Sequence, residues 1–110
     1  MEDWQTMYTV GNIIYGIPLT QEILNVVGEV EDAEDVGFET TYSGAGGTTP
    51  GWCGVVLDTI DECSVVDFSL LKLTPTPEQI DAVNQKVAAL SEEILKVSSP
   101  IGCYIVWSTS

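Results

Sequence analysis

Residues 76–107 read TPEQIDAVNQKVAALSEEILKVSSPIGCYIVW and decide the fold. Thr76 is a helix N-cap residue, with Pro77 at the first helical position and Gln79 three residues after the cap. Apolar residues then recur every three or four positions, which predicts one helix with a buried face of about five turns. These apolar residues are Ile80, Val83, Val87, Leu90, Ile94 and Val97. Residues 101–107 form a nearly continuous apolar run, typical of a central strand covered on both faces.

The same patterns predict the remaining elements. A shorter helix is expected to begin at Thr20 and end at Gly28. Strand patterns cover most of the rest of the chain, at residues 13–17, 36–43, 52–57 and 65–73. The predicted order is β-α-β-β-β-α-β, an α+β fold with two helices on one face of a mainly antiparallel sheet. This order is a variant of the split βαβ, ferredoxin-like plan. A sheet curled around the long helix is the alternative.

Composition excludes several classes of protein. The 110 residues include 17 acidic residues against three Lys, with no Arg and no His, so the net charge is −14. Because 45% of the residues are hydrophobic, the chain is not a disordered acidic tail. Its length fits one compact domain over residues 1–110. Direct binding to nucleic acid or to an anionic membrane is disfavoured, since both require clusters of Lys or Arg.

The sequence also argues against an enzyme, a metal site or a cofactor. Without His and Arg, few side chains remain for general acid–base catalysis. Cys53, Cys63 and Cys103 lack the close spacing of zinc ligands, and we interpret them as reduced thiols of a cytoplasmic protein. Glu2 and Asp3 stand where a secretory signal would carry positive charge, which also favours the cytoplasm.

The acidic residues are unevenly distributed. Residues 1–71 contain 13 acidic residues and no basic one. The densest cluster consists of Glu29, Glu31, Asp32, Glu34, Asp35 and Glu39. Residues 29–35 are expected to be a solvated acidic linker, and they lack the ligand spacing of an EF-hand calcium loop. Because like charges without opposite partners destabilise a compact state, the cluster also favours a contact surface for a basic partner.

Two further segments are candidates for partner contacts. Asp58, Asp61 and Glu62 form an acidic turn that extends the predicted surface. Residues 43–51 are a Gly-rich hairpin loop in which Gly44, Gly46 and Gly47 are expected to assist contact. The loop lacks the Lys and the following helix of a phosphate-binding loop.

Together these features predict a small acidic protein without catalytic activity that blocks the basic, nucleic-acid-binding surface of a partner protein. The composition is similar to that of small acidic inhibitors, many encoded by phages, that mimic nucleic acid and act on host defence or nucleic-acid enzymes. Two alternatives stay open. One is an assembly protein that forms a homodimer or larger homo-oligomer through an edge strand at residues 36–43. The other is a small-ligand binder that uses the 43–51 loop.

Overall fold

The described residues form a sheet of four strands, each antiparallel to its neighbours. The computed structural model describes residues 9–41, 50–61 and 68–109. The strands are β1 (Thr9–Pro18), β2 (Glu39–Thr40), β3 (Gly51–Asp61) and β4 (Gly102–Thr109), in the order β2-β3-β1-β4. The predicted α+β class with an antiparallel sheet is confirmed. The predicted element order and the ferredoxin-like arrangement are not confirmed.

Four helices accompany the sheet in the described part of the chain, where two were predicted. They are α1 (Gln21–Val27), α2 (Val30–Asp35), α3 (Pro77–Ala88) and α4 (Glu92–Val97). The helix starts at Thr20 and Thr76 are confirmed, since the Thr20 hydroxyl accepts the Ile23 N–H and Thr76 forms a capping box with Gln79.

The long helix predicted after Thr76 is interrupted between α3 and α4. The N–H of Leu90 bonds to the carbonyl of Val87, three residues back, which tightens the last turn of α3. The Ser91 hydroxyl then accepts the Ile94 N–H at 3.4 Å and caps a new helix. Leu90 and Ile94 are both buried, so the apolar period continues through the break.

Three other predictions are corrected. The predicted linker at residues 29–35 is instead helix α2 preceded by its N-cap residue Glu29, because Glu29 and Asp32 make a capping box. In the strand predicted at 65–73, residues 65–67 lie outside the described residues, and Phe68–Leu70 form a 3₁₀ turn. The segment that follows this turn is held by the Asp58 carboxylate, which accepts the Lys72 backbone N–H. The apolar run at 101–107 is strand β4, at an edge of the sheet and not at its centre.

The main core lies between the sheet and the helices. Ile17 of β1 and Cys53 of β3 pack with Ile23 of α1, Ala33 of α2 and Val83 of α3. All five side chains are almost completely buried. A second apolar cluster joins Ile13, Leu57 and Ile60, and Leu71 packs against it.

The contact between β1 and β3 contains two irregularities. Ile13 pairs with Asp58 and Ile14 pairs with Val56, so Leu57 is an extra residue in a β-bulge. Further along, Gly16 stands directly opposite Gly54. A Cβ built on Gly54 would lie 2.1 Å from the carbonyl oxygen of Tyr15, so the two backbones approach too closely for any side chain.

Among the described residues, no helix is both long and apolar enough to cross a membrane.

Candidate functional site

An open groove lies where α1, α2 and α4 meet. Its volume is about 690 Å³. Apolar lining comes from Val26, Val27, Val36, Ile94 and Val97. Charged lining comes from Asp32, Asp35 and Glu93, with Lys96 beside them. We call this feature the acidic groove, because three carboxylates surround an apolar floor.

Local sequence brings the helices of the acidic groove together. Gly28 ends α1 with φ of 108°, a left-handed conformation that favours glycine, and its N–H bonds to the Leu24 carbonyl at 2.8 Å. Only Gly28 and Glu29 separate α1 from α2, so the chain reverses sharply. Ala33 of α2 is completely buried, and its small side chain allows α2 to pack close to α1.

The apolar floor of the acidic groove is partly exposed to solvent. Val26, Val36 and Val97 are 42%, 40% and 39% exposed, and they come from three separate segments of the chain. Exposed valines are common singly, but these three lie around one concavity, so the acidic groove presents an apolar surface to solvent.

Four of the six residues of the predicted acidic cluster have a structural role, beginning with Glu29 and Asp32 in the capping box of α2. The Asp32 carboxylate accepts the Glu29 N–H at 3.2 Å, and Glu34 accepts a hydrogen bond from the Thr40 hydroxyl. Glu39 lies 4.0 Å from the Lys86 ammonium. Glu31 and Asp35 are exposed on α2, and Asp35 also lines the acidic groove.

The structure separates the two predicted groups of acidic residues. Glu39 pairs with Trp52 near the start of β3, whereas Asp61 is the last residue of that strand. Trp52 and Asp61 are separated by nine residues along the strand, so at about 3.3 Å per residue they lie roughly 30 Å apart. Asp58 and Asp61 therefore do not join the acidic groove. The predicted contacts Glu62, Gly44, Gly46 and Gly47 lie outside the described residues.

Asp58 holds the chain after β3 in place and is not a free contact residue. One carboxylate oxygen accepts the Lys72 backbone N–H and the other accepts the Thr59 N–H, both at 2.8 Å. Hydrogen bonds to the ionised form, first from Lys72 and then from Thr59, hold the pKa of the Asp58 carboxyl below its ordinary value of 3.8. Lys72 also contributes by its positive charge.

We expect the stabilising effect of Asp58 to depend on pH. Because its pKa is lowered in the folded state, the effect is fully present above the ordinary pKa and is lost as the pH falls through the folded pKa. Asp58→Asn should therefore unfold at a lower urea concentration than the wild type at neutral pH. The difference should shrink progressively below pH 3.8. A difference that stays constant over this range would show that the ionised carboxylate does not hold the Lys72 segment.

Cys53 lies near a Lys, a proximity that the sequence did not reveal. The Lys86 ammonium donates a hydrogen bond to the Gly54 carbonyl at 3.0 Å. Burial raises the pKa of the completely buried Cys53 thiol, the nearby Lys86 charge partly opposes this effect, and Glu39 adds to it. The thiol therefore stays protonated and is not an activated nucleophile.

The valines and Glu93 of the acidic groove were missed by sequence reasoning. Val26, Val36 and Val97 looked like ordinary apolar positions of predicted elements, and Glu93 looked like the exposed side of a long helix. The available signal was the Ser91-Glu92-Glu93 start of α4, which resembles a helix N-terminus.

No metal cluster accompanies the acidic groove. Over residues 9–41, 50–61 and 68–109, no group of three or more His, Cys, Asp and Glu side chains is arranged to hold a metal ion. Comparisons with protein-family models, with curated proteins and with solved structures found no match.

Proposed function

We propose that this protein is a binding protein without catalytic activity, and that its acidic groove occupies a basic, nucleic-acid-binding surface of a partner protein. The observation that carries the proposal is the combination of Asp32, Asp35 and Glu93 with an exposed valine floor in one concavity. A segment that fits it presents Lys or Arg side chains around one or two apolar side chains. The protein itself does not bind nucleic acid in this proposal.

Charge and apolar contact have different roles in the proposed complex. The net charge of −14 steers a basic partner towards the protein, and salt screens this attraction. The valine floor then contributes apolar burial, which salt does not screen. Blocking follows from occupancy alone, because the partner's basic surface cannot hold a phosphate backbone and these carboxylates together. The free thiols of Cys53 and Cys103 fit a reducing compartment, so we place the interaction in the cytoplasm.

The test compares two charge-reversal variants of equal net charge. Asp35→Lys with Glu93→Lys alters the acidic groove, whereas Glu78→Lys with Asp81→Lys alters α3, which does not line it. Each reversal adds two charge units, so both double variants change the net charge from −14 to −10. Glu93 and Glu78 each lie in the first turn of a helix. Replacing either one by Lys therefore introduces a similar unfavourable interaction with the helix dipole.

Immobilised wild type and both variants are used in parallel to capture proteins from a host lysate at low salt, with elution by rising salt. A captured nucleic-acid-binding protein is then purified and titrated with each form. We expect the groove variant to bind at least about tenfold more weakly than the α3 variant. We also expect the wild type to displace labelled nucleic acid from that partner. Equal affinity of the two variants, or no displacement, would contradict the proposal.

The edge strand proposed as an assembly surface at residues 36–43 stays a prediction, and the part of it that is described includes β2, at an edge of the described sheet. Of that range, residues 36–41 are described, and only Glu39 and Thr40 form strand β2. The ligand-binding alternative depends on the 43–51 loop, most of which lies outside the described residues, and it stays a prediction.

A further inference from the structure

Strand β4 is the last strand on one side of the sheet that the described residues form. It pairs with β1 over eight registered positions, from Gly102 opposite Gly16 to Thr109 opposite Thr9. No strand within the described ranges pairs with its other side. An unpaired edge presents backbone N–H and C=O groups that can bind another strand, and natural proteins often protect such edges with charged side chains. The sequence of β4, GCYIVWST, contains no charged residue.

The exposed row of side chains along β4 is apolar. Exposure alternates along the strand, and the more exposed positions after Ile101 are Cys103, Ile105 and Trp107. Ile105 is 46% exposed and Trp107 is 48% exposed. The Trp107 ring covers Gly11 of β1, where an added Cβ would lie 2.8 Å from the ring.

The apolar surface continues beyond the strand. The Cys103 thiol donates a hydrogen bond to the Leu73 carbonyl at 3.2 Å, which places Leu73 beside the exposed row. Leu73 is itself exposed. Backbone groups and apolar side chains therefore lie together on one continuous surface, which we call the β4 edge. A partner strand would satisfy the backbone groups and cover the side chains at the same time.

We propose that the β4 edge pairs with the β4 edge of a second copy of this chain. The strands would run antiparallel about a twofold axis at Ile105, joining two four-stranded sheets into one of eight strands. In this register Ile105 faces its own symmetry mate, and Cys103 faces Trp107 of the second copy. The exposed apolar side chains of one copy are thus covered by those of the other copy, and no charged residue of β4 enters the interface.

Net charge favours this edge as the contact between copies. Two chains of −14 repel each other, so they associate most easily where their surfaces carry no charge. On β3, Asp58 and Asp61 lie two strands away from β4, or about 10 Å at the usual strand spacing. Added salt screens the remaining repulsion. Self-association should therefore strengthen with salt, whereas binding of a basic partner to the acidic groove should weaken.

The test measures sedimentation of the full chain over a range of protein concentrations at low and high salt. We expect a monomer–dimer equilibrium that shifts towards dimer with salt. Ile105→Lys places like charges on the twofold axis and should shift the dissociation constant by at least about tenfold. Leu95→Lys is the matched control, because Leu95 is an exposed residue of α4 and not of β4, and the charge change is identical. It should retain the dimer.

A second measurement addresses the register. In a background of Cys63→Ser and Cys103→Ser, Ile105→Cys should form a disulfide-linked dimer with diamide as oxidant. Directly opposed residues of antiparallel strands have the Cα separation that a disulfide requires. Leu95→Cys in the same background should form no disulfide-linked dimer. A monomer at every concentration and salt, a dimer unaffected by Ile105→Lys, or no specific crosslink would overturn the proposal. Binding of a different protein at the β4 edge of a monomeric chain would overturn it as well.

Discussion

Replacement of Gly54 by alanine is expected to lower the free energy of unfolding by at least about 3 kcal/mol. Gly54 of β3 faces Gly16 of β1, and an added Cβ would lie 2.1 Å from the Tyr15 carbonyl oxygen and 2.9 Å from the Gly16 Cα. Both contacts are with backbone atoms, so no side-chain rotation relieves them. The two longest strands of the sheet would have to separate, which would also disturb the hydrogen bond from Lys86 to the Gly54 carbonyl.

Gly102→Ala is the matched control for this prediction. Gly102 is also a strand glycine paired with Gly16, but the atom nearest to its added Cβ is a Tyr104 ring carbon at 3.6 Å, an ordinary contact distance. Urea unfolding followed by circular dichroism should therefore give a large loss of stability for Gly54→Ala and a change within about 1 kcal/mol for Gly102→Ala. Similar midpoints for the two variants would show that β1 and β3 are not so closely apposed.

The second large effect is expected for Ile23→Ala, which should cost about 2–5 kcal/mol of stability. Ile23 of α1 is completely buried in the main core, together with Ile17 and Val83. The substitution removes buried apolar volume where three elements meet, and the surrounding backbone can close only part of the cavity.

Val26→Ala on the same helix separates stability from binding. Val26 is 42% exposed and lines the acidic groove, so its truncation should cost less than about 1 kcal/mol of stability. The same substitution should weaken binding of the proposed basic partner. Urea unfolding of both variants and titration with that partner provide the comparison. A loss of stability at position 26 as large as that at position 23 would contradict the placement of α1.

Features set by neighbouring residues were predictable from the sequence. The caps at Thr20 and Thr76 require only a hydroxyl and an N–H three residues later, and both were predicted. The break before Ser91 was missed because Leu90 and Ile94 keep the helical period across it, and periodicity dominates such a prediction.

Features set by distant residues were not predictable. Residues 101–107 are apolar enough for a central strand, but their position depends on which strand edges other segments occupy. The segment at 68–73 has a strand-like composition, yet Asp58 holds the Lys72 N–H and Leu71 packs against the second apolar cluster. Because Asp58 and Lys72 are fourteen residues apart, no local sequence pattern predicts their hydrogen bond.

The candidate site was predicted in part. The acidic cluster identified Asp32 and Asp35, which do line the acidic groove. The concavity itself arises from Val26, Val36 and Val97, which are far apart in sequence and meet only in the folded chain. Asp58 and Asp61 were grouped with the cluster by charge alone, and strand β3 carries them to the other end of the sheet.

The pairing of β1 with β4 has a consequence for the order in which the protein folds on the ribosome. The Ser108 hydroxyl donates to the Val10 carbonyl across 98 residues, so β1 and β4 can pair only after residues 102–109 have been synthesised. Strand β1 can pair with β3 earlier, and the other edge of β1 then stays unpaired until residues 102–109 have been synthesised. Such long-range pairing slows folding and exposes the unfinished sheet to aggregation. The 13 acidic residues before position 72, with no basic residue among them, are all present before β4 is made, and their like charges repel another copy of the chain.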